Sequence, residues 1–255
     1  MSGHSIKVLT YNIHKGFSAT NRHFVLHEIK QAVITTGADF VFLQEVYGEQ
    51  QDLQKKHGNW PDNSQFEFIA DSIWSFHAYA RNAVYDAGHH GNAILSKYPI
   101  IESDNINVSL FKKASRSLLH CVITVPGCAL PLHLICVHLG LFGFERRKQL
   151  KVLIQRIKSH VPDDEPLIVA GDFNDWMLRA RHIMQNELGI SEVFKTEHGR
   201  YARSFPAWMP LLKMDRIYSR GLTVRSAEPL VGSDWRKLSD HTPLLAEFEL
   251  ADTDR

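Results

Sequence analysis

Short apolar runs separated by polar turns recur along this chain of 255 residues. Runs rich in β-branched and aromatic residues are typical of buried strands, whereas apolar positions three and four residues apart are typical of amphipathic helices. The helical spacing predicts helices over residues 21–36 and 145–158 and a shorter one over residues 65–74. The apolar runs predict strands at residues 6–11, 40–43, 91–96, 117–125, 130–139, 166–170, 216–218 and 242–250.

The order of these elements indicates the fold class. Several predicted strands follow one another directly, and helices occur at only some of the connections, which argues against a doubly wound parallel sheet. The pattern favours a mixed sheet, or two packed sheets, with helices outside. We therefore expect a single α/β sandwich domain over residues 1–255, with its core at about 6–250 and mainly loops over residues 48–90.

Composition adds few constraints. A hydrophobic content of 44% is enough for a large core, and 29 basic against 28 acidic residues leave no overall attraction to a polyanion. Cys121, Cys128 and Cys136 lack metal-ligand spacing, so we expect free thiols. No signal peptide precedes the first strand, and no run approaches the ~20 apolar residues of a spanning helix. A cytoplasmic location is the expectation.

Polar side chains stand at the ends of the apolar runs, where strand ends of one sandwich can converge on a cleft. One such residue is ordinary turn chemistry, but several together supply the acid, amide and imidazole groups of a metal-assisted phosphoester hydrolase. The six positions are Asn12, Glu45, His138, Asp172 with Asn174, Asp215, and Asp240 with His241.

Each of these groups suits one need of phosphoester hydrolysis. Oxygen ligands suit Mg²⁺ or Mn²⁺, and Glu45 is the strongest candidate ligand, with Asn12 and Asp240 nearby in the proposed cleft. Asp172 would accept the proton of an attacking water, while Asn174 would hold that water or the phosphate. An imidazole held by a carboxylate, as expected for His241, would offer an N–H to a phosphoryl oxygen.

These residues lie in motifs that resemble, in order, those of the endonuclease/exonuclease/phosphatase superfamily of DNase I-like enzymes. The resemblance extends from residue 6 to residue 250, and the chain is most similar to stand-alone bacterial members. The matching motifs are Tyr11-Asn12-Ile13-His14, Leu43-Gln44-Glu45, His138, Gly171-Asp172-Phe173-Asn174, Met214-Asp215-Arg216-Ile217 and Ser239-Asp240-His241-Thr242-Pro243.

The resemblance implies a four-layered α/β sandwich, with two packed mixed β-sheets flanked by helices, and a Mg²⁺-dependent phosphoesterase. It implies a metal site and a pair of residues that activates water. It also implies that Asp215 orients His241 and that His138 faces the phosphate. Arg116 resembles a phosphate-contacting arginine, and Asn92 and Trp176 complete the candidate substrate-binding residues. Trp176 would stack on a substrate group or pack beside a helix. The metal residues so implied are Glu45, Asn12 and Asp240, and the water-activating pair is Asp172 and Asn174.

Local sequence leaves the substrate open. Residues 139–144 and 205–212 are apolar beside catalytic positions, so they are either core or a peripheral membrane contact. Adjacent His89 and His90 indicate a substrate-facing loop or plain surface, without a zinc site. Basic clusters indicate a nucleic-acid groove or a solvated helix face. The membrane contacts would be Phe142, Phe144, Trp208 and Leu211, and the clusters are Lys112, Lys113 and Arg116, then Arg146, Arg147, Lys148 and Lys151.

The expected function is that of a Mg²⁺-dependent phosphodiesterase that cleaves a nucleic-acid or phospholipid phosphodiester by metal-assisted attack of water. One alternative is a phosphomonoesterase acting on a soluble metabolite such as an inositol phosphate. A non-catalytic phosphate-binding module is disfavoured, because the inferred site is complete. The sequence indicates no protein partner, and a phospholipid substrate would place the protein at the inner membrane.

Overall fold

The computed structural model describes residues 4–71, 73–110 and 116–250, apart from the side chain of His182. The strands are β1 (His4–Asn12), β2 (Phe40–Gln50), β3 (Phe76–Tyr85), β4 (Gly88–Ser96), β5 (Ile100–Asn107), β6 (Ser117–Ile123), β7 (Leu132–His138), β8 (Leu167–Asp172), β9 (Ser191–Glu192), β10 (Asp215–Arg220), β11 (Thr223–Pro229) and β12 (Leu244–Leu250). The helices are α1 (Leu26–Thr35), α2 (Gln51–Lys56), α3 (Gln65–Ala70), α4 (Gly143–His160), α5 (Ala180–Leu188), α6 (Val193–His198) and α7 (Trp235–Leu238), with a 3-10 turn at His14–Gly16.

These strands form two six-stranded sheets, with orders β11-β12-β1-β2-β4-β3 and β5-β6-β7-β8-β10-β9. Both sheets are mixed, because β1 pairs with β2 and β7 pairs with β8 in parallel, whereas the other pairs are antiparallel. Each parallel pair is joined through a helix, α1 in the first sheet and α4 in the second. In each sheet the two parallel strands, β1 with β2 and β7 with β8, therefore have their carboxyl ends at the same edge.

Three apolar clusters make four layers of this arrangement. Phe42 and Phe248 of the first sheet share one cluster with Leu134 of the second, which places the central core between the sheets. The outer face of the first sheet packs against Ile29 of α1, and the outer face of the second packs against Leu153 of α4. The predicted sandwich of two packed mixed sheets with outer helices is confirmed.

Several local predictions were wrong, and tertiary pairing explains most of them. Residues 48–90 are not mainly loops, because they contain α2, β3 and the beginning of β4. Edge strand β5 has mostly exposed polar residues, so it lacks the apolar alternation that identifies a strand. The first helix begins at Leu26 rather than at Asn21, since Phe24 forms a bridge with Phe17 just before it.

None of the helices in the described part of the chain is long and apolar enough to cross a lipid bilayer.

A chain of hydrogen bonds crosses from α4 to the second sheet, far along β7 from His138. Arg156 Nε lies 3.0 Å from His120 Nδ1, His120 Nε2 lies 2.9 Å from His133 Nδ1, and His133 Nε2 bonds to Glu165. Because arginine only donates, His120 Nδ1 must accept, and each following imidazole then accepts at Nδ1 and donates from Nε2. Both buried histidines are therefore neutral.

The row of hydrogen-bonded neutral histidines predicts that the free energy of unfolding depends on pH. Burial, together with the neighbouring His133 and Arg156, lowers the pKa of His120 to about 3. The unfolded chain takes up this proton near pH 6.5 and the folded chain does not, so stability should fall on acidification below about pH 6.5, by roughly 1 kcal/mol per pH unit. Urea unfolding followed by tryptophan fluorescence across this range measures the effect.

His120→Gln should flatten this pH dependence, because glutamine keeps an acceptor and a donor but does not titrate. The matched control is His23→Gln at an exposed position, which should leave the slope unchanged. Parallel pH profiles for the wild type and His120→Gln would contradict the assignment of a neutral histidine chain.

Candidate active site

The predicted polar positions meet at the ends of the central strands. Asn12 is the last residue of β1, His138 the last of β7 and Asp172 the last of β8, while Asp215 is the first of β10. Asp172 is opposite His138 on one side and opposite Asp215 on the other. Because β10 runs antiparallel to β8, its beginning lies at the same sheet edge as the end of β8.

The carboxylate of Asp172 is at the centre of the cluster and is buried. Its Oδ2 lies 3.4 Å from Asn12 Nδ2 and 3.1 Å from Asn174 Nδ2, and its Oδ1 accepts the Asn174 backbone N–H at 2.8 Å. The Nε2 atoms of His138 and His241 lie 3.6 and 3.9 Å from Oδ2. Residues from both sheets thus surround one carboxylate.

His241 and Asp215 form a buried pair beside it, with 2.7 Å between Nδ1 and Oδ2. Burial by itself lowers the pKa of His241, but the Asp215 carboxylate raises this pKa to about 10. The imidazole is therefore a cation whose second N–H faces Asp172. The pKa of Asp172 is raised to about 7, mainly by burial and also by the negative charges of Asp215 and Glu45. The positive charge of His241 acts in the opposite direction.

Glu45 lies within a strand, and not at its carboxyl end as predicted. Strand β2 continues to Gln50, and its register with β4 shifts between Leu43 and Val46. Glu45 occupies this bulge with a φ of 55°, a region that residues other than glycine rarely adopt. Pairing with β4 therefore creates the local geometry that sets the direction of this side chain.

The surroundings of Glu45 keep its carboxylate ionised. Lys15 Nζ lies 3.3 Å from Oε2. Burial would raise the pKa of Glu45, but interactions with His138, Lys15 and His14 lower it to about 2. A charged oxygen ligand next to Asp172 is what a hard divalent cation requires.

Asp240 lies in the loop before β12, and Asn12 ends β1. Ser239 Oγ donates to the Asn12 carbonyl at 2.7 Å, which ties the residue before Asp240 to the end of β1. Asp240 Oδ1 lies 3.8 Å from His14 Nδ1. Like Glu45, these two residues offer oxygen donors, the kind of ligand that a hard divalent ion prefers.

A second set of metal-binding groups is formed by Asp172, Asp215 and His241, which offer one ligand atom each within 4.8 Å of one another. Within this set, however, His241 Nδ1 is already bonded to Asp215, and the oxygens of Asp172 accept hydrogen bonds. An ion ligated by His241 Nδ1 would have to break the bond to Asp215, so a hard divalent ion is better served by ligands that are all oxygens, as Glu45, Asn12 and Asp240 offer.

The three predicted substrate-binding residues have different surroundings. Arg116 Nε lies 3.3 Å from the Leu139 carbonyl, and the charge of Arg116 contributes to the low pKa of His138, after burial. Asn92 is buried and donates to the Ser117 carbonyl at 3.1 Å, which ties β4 to β6. Trp176 is 41% exposed, and the guanidinium of Arg146 on α4 lies 5.3 Å from its ring centroid.

The predicted basic clusters are divided by the fold. Arg146 is buried and its Nη1 donates to the carbonyls of Gly140 and Leu141 at 3.1 and 2.6 Å, so it fastens the loop after His138. This residue does not belong to a solvated helix face. Lys112 and Lys113 lie outside the described residues. The other members of the second cluster are exposed or half-buried on α4: Arg147, Lys148 and Lys151.

One residue near the site was missed. Lys15 reaches Glu45, and only its position directly after the first motif, three residues beyond Asn12, could have indicated it. His90 was predicted to lie in a substrate-facing loop or on plain surface, but it lies in β4, and its pKa is lowered to about 4 by burial and then by Lys15. The pairing of β4 with β2 brings His90 toward Glu45, and no local pattern indicates that pairing.

Two mixed sheets between helices, with a buried carboxylate, two asparagines and two histidines at one end, define a phosphoester hydrolase with the DNase I-like fold. The chain belongs to the endonuclease/exonuclease/phosphatase family, whose model matches residues 9–241. It is accordingly a metal-dependent hydrolase that acts on phosphoester bonds, and the family depends on a divalent ion.

Individual relatives and solved structures resemble almost the whole chain. The chain is 48% identical over 246 residues to the uncharacterized protein YbhP of Escherichia coli K12, covering 96% of this chain and 97% of that one. A Bacteroides vulgatus endonuclease/exonuclease/phosphatase structure has a TM-score of 0.75 at 20% identity, covering 97% and 100%. A D. rerio TDP2 structure complexed with single strand DNA product has a TM-score of 0.69 at 21% identity, covering 96% and 99%.

Proposed function

We propose that this protein is a Mg²⁺-dependent phosphodiesterase that cleaves a nucleic-acid or phospholipid phosphodiester by attack of water, and that residues 1–255 form one catalytic domain. The observation that carries the proposal is the environment of Asp172. Two amides at 3.4 and 3.1 Å hold its Oδ2, and two imidazoles lie 3.6 and 3.9 Å away. A base, its orienting groups and donors for phosphoryl oxygens are thus gathered at one point.

Glu45, Asn12 and Asp240 would hold the Mg²⁺, and Mn²⁺ suits the same oxygen donors. When bound, this ion supplies positive charge that neutralises phosphate oxygens and the leaving oxygen. The observation that supports this metal site is the ionised carboxylate of Glu45, whose pKa is lowered to about 2 although burial alone would raise it.

The protein groups then have separate tasks. Asp172 accepts the proton of the attacking water, and Asn174 orients that water through its side-chain amide. Asp215 holds the His241 imidazolium at 2.7 Å so that its Nε2–H points to a phosphoryl oxygen. His138, which is neutral because burial lowers its pKa, faces the same phosphate.

Three further residues complete the proposed substrate site. Arg116 supplies a positive charge beside His138, and its effect on that imidazole supports the placement. Asn92 links strands β4 and β6 beneath the proposed substrate through its hydrogen bond to the Ser117 carbonyl. Trp176 offers an exposed indole for stacking on a substrate group.

A phosphomonoesterase acting on a soluble metabolite is the second candidate reaction, because the same groups would bind a terminal phosphate. A phospholipid substrate would bring a peripheral contact through Phe142, Phe144, Trp208 and Leu211, with the protein at the cytoplasmic face of the inner membrane. The exposure of these four side chains supports that part of the proposal.

A substrate panel with the purified protein tests the proposed reaction. With Mg²⁺ present, bis(p-nitrophenyl) phosphate should be hydrolysed at least about tenfold faster than p-nitrophenyl phosphate, because the site is proposed to act on diesters. Plasmid DNA, RNA, phospholipid vesicles and inositol phosphates extend the panel to natural linkages. A chelator should abolish turnover, and added Mg²⁺ or Mn²⁺ should restore it.

Faster turnover of the monoester would favour the second candidate reaction instead. Absence of turnover on every substrate with both ions would contradict the proposal.

A further inference from the structure

Exposed apolar side chains are concentrated on three loops beside the active site. Nine of the fifteen exposed large hydrophobic side chains among the described residues lie there, and the other six are scattered. A concentration of this kind on a soluble surface typically marks an interaction site. We call the nine residues the apolar rim: Leu141, Phe142 and Phe144, then Trp176 and Met177, then Trp208, Met209, Leu211 and Leu212.

Each loop of the apolar rim continues from a residue of the site. The first loop begins after His138, where Asn174 Nδ2 donates to the Leu139 carbonyl at 2.9 Å. The second begins two residues after Asn174, and the third ends just before Asp215. The Ala207 N–H donates to the Asp240 carbonyl at 2.7 Å, which joins the third loop to the predicted metal ligands. Each segment of the rim is therefore attached to residues of the site by the chain or by a hydrogen bond.

Internal contacts hold the loops in these exposed positions. Arg146 bonds the carbonyls of Gly140 and Leu141, and its guanidinium lies 5.3 Å from the Trp176 ring centroid. The N–H groups of Leu211 and Leu212 donate to the Phe205 carbonyl at 2.9 and 2.8 Å. The apolar side chains are thus presented outward by ordered backbone, and are not the result of an unfolded loop.

Within the three segments that carry the apolar rim, the charged side chains that reach solvent have one sign. Over residues 139–148, 174–181 and 203–213 the two acidic side chains, Glu145 and Asp175, are buried. The basic side chains that reach solvent have no exposed acid beside them in these segments. An apolar surface within a ring of cations complements a bilayer with anionic headgroups. The six basic residues are Arg147, Lys148, Arg179, Arg181, Arg203 and Lys213.

We propose that the apolar rim docks on an anionic phospholipid bilayer and that the substrate is a phospholipid, cleaved at its headgroup phosphodiester; the second part rests on the proposed function. Apolar side chains enter the acyl boundary while the basic residues contact headgroup phosphates. In this docked position the site faces the membrane, so a headgroup reaches Asp172 without leaving the bilayer. Five of the nine rim side chains are aliphatic, which favours a bilayer over a single-stranded nucleic acid, because bases stack on aromatic rings and not on leucine or methionine.

The reaction balances without any further reactant. The oxygen of one water forms a bond to phosphorus, and the ester bond between phosphorus and one alcohol oxygen breaks. The water proton passes to Asp172 and then to solvent, and the departing alkoxide takes up a proton. The products are an alcohol and a phosphate monoester.

Vesicle flotation tests the docking step with hydrolysis switched off by a chelator. The wild type should float with phosphatidylglycerol vesicles far more than with phosphatidylcholine vesicles, and the bound fraction should fall with added salt. Phe142→Ser with Trp208→Ser removes side chains that are 60% and 61% exposed, and should lower the partition coefficient at least about tenfold.

The matched control is Val84→Ser with Ile101→Ser, because these side chains are 61% and 56% exposed on edge strands away from the rim. Its partitioning should equal that of the wild type. Thermal unfolding of all three proteins checks that each is folded. A wild type that does not float, or equal partitioning of the two double variants, would overturn the docking proposal.

Turnover separates docking from chemistry. With Mg²⁺ present, the same vesicles should release the products of headgroup cleavage, whereas plasmid DNA should not be degraded. Degradation of DNA together with intact lipid would overturn the substrate class. Inert bis(p-nitrophenyl) phosphate combined with normal flotation would refute the proposed phosphodiesterase and leave docking supported.

Discussion

Asp172→Asn is expected to reduce hydrolysis of bis(p-nitrophenyl) phosphate by roughly a thousandfold, because removing a general base costs about that much. Asparagine has nearly the same shape, so the sheet edge should keep its geometry. Its amide has no oxygen that readily takes a proton from water. Initial rates with Mg²⁺, measured on protein purified in parallel with the wild type, check the prediction.

The control for this substitution is Asp164→Asn, which changes an exposed aspartate before β8 and should retain full activity. Thermal unfolding should show that Asp172→Asn remains folded. A folded Asp172→Asn protein with near wild-type turnover would show that another group activates the water, and the proposed mechanism would have to be abandoned.

Glu45→Gln is expected to weaken binding of Mg²⁺ and Mn²⁺ by roughly a hundredfold, because it removes the ionised ligand of the oxygen-rich set. Turnover at limiting metal should fall in parallel. Isothermal titration calorimetry with either ion measures the affinity without relying on activity. Glu49→Gln changes an exposed glutamate on the same strand and should bind the ion as the wild type does.

The same titration distinguishes the two candidate metal sites. Asp215→Asn leaves Glu45, Asn12 and Asp240 intact, so it should keep most of the ion affinity while it weakens catalysis through His241. Loss of ion binding in Asp215→Asn, with normal binding in Glu45→Gln, would place the ion at the buried group of Asp172, Asp215 and His241 instead.

Much of the fold could be predicted because the central strands carry their own signal. Every residue of β7 and β8 is buried, and their apolar runs indicate buried strands without reference to any partner. Strand β5 could not be found in this way, because its position at a sheet edge leaves most of its side chains in solvent. Its backbone is extended because β6 pairs with it, which is a contact between distant segments.

The residues of the candidate site likewise divide into those that local sequence indicates and those that contacts between distant segments bring together. Asp172 and His241 could be named because polar residues at strand ends in recognisable motifs are a local feature. The bulge at Glu45 could not, since it arises from the register of β2 against β4. Lys15 was missed because its distance to Glu45 depends on a turn with positive φ, and Arg146 was misjudged because its carbonyl partners lie in a loop.

The sequence by itself determined the kinds of group available, the strands that carry them and, through its motifs, the family and reaction class. The tertiary structure alone decided which groups share one cleft, which protonation states burial and neighbouring charges impose on Asp172 and His241, and whether the apolar loops are covered. The physical reason is the distance along the chain over which each interaction acts. Apolar periodicity reports the burial of an element along its own length, whereas the exposure of Phe142 and Trp208 depends on whether another layer packs over them, and none of the described layers does.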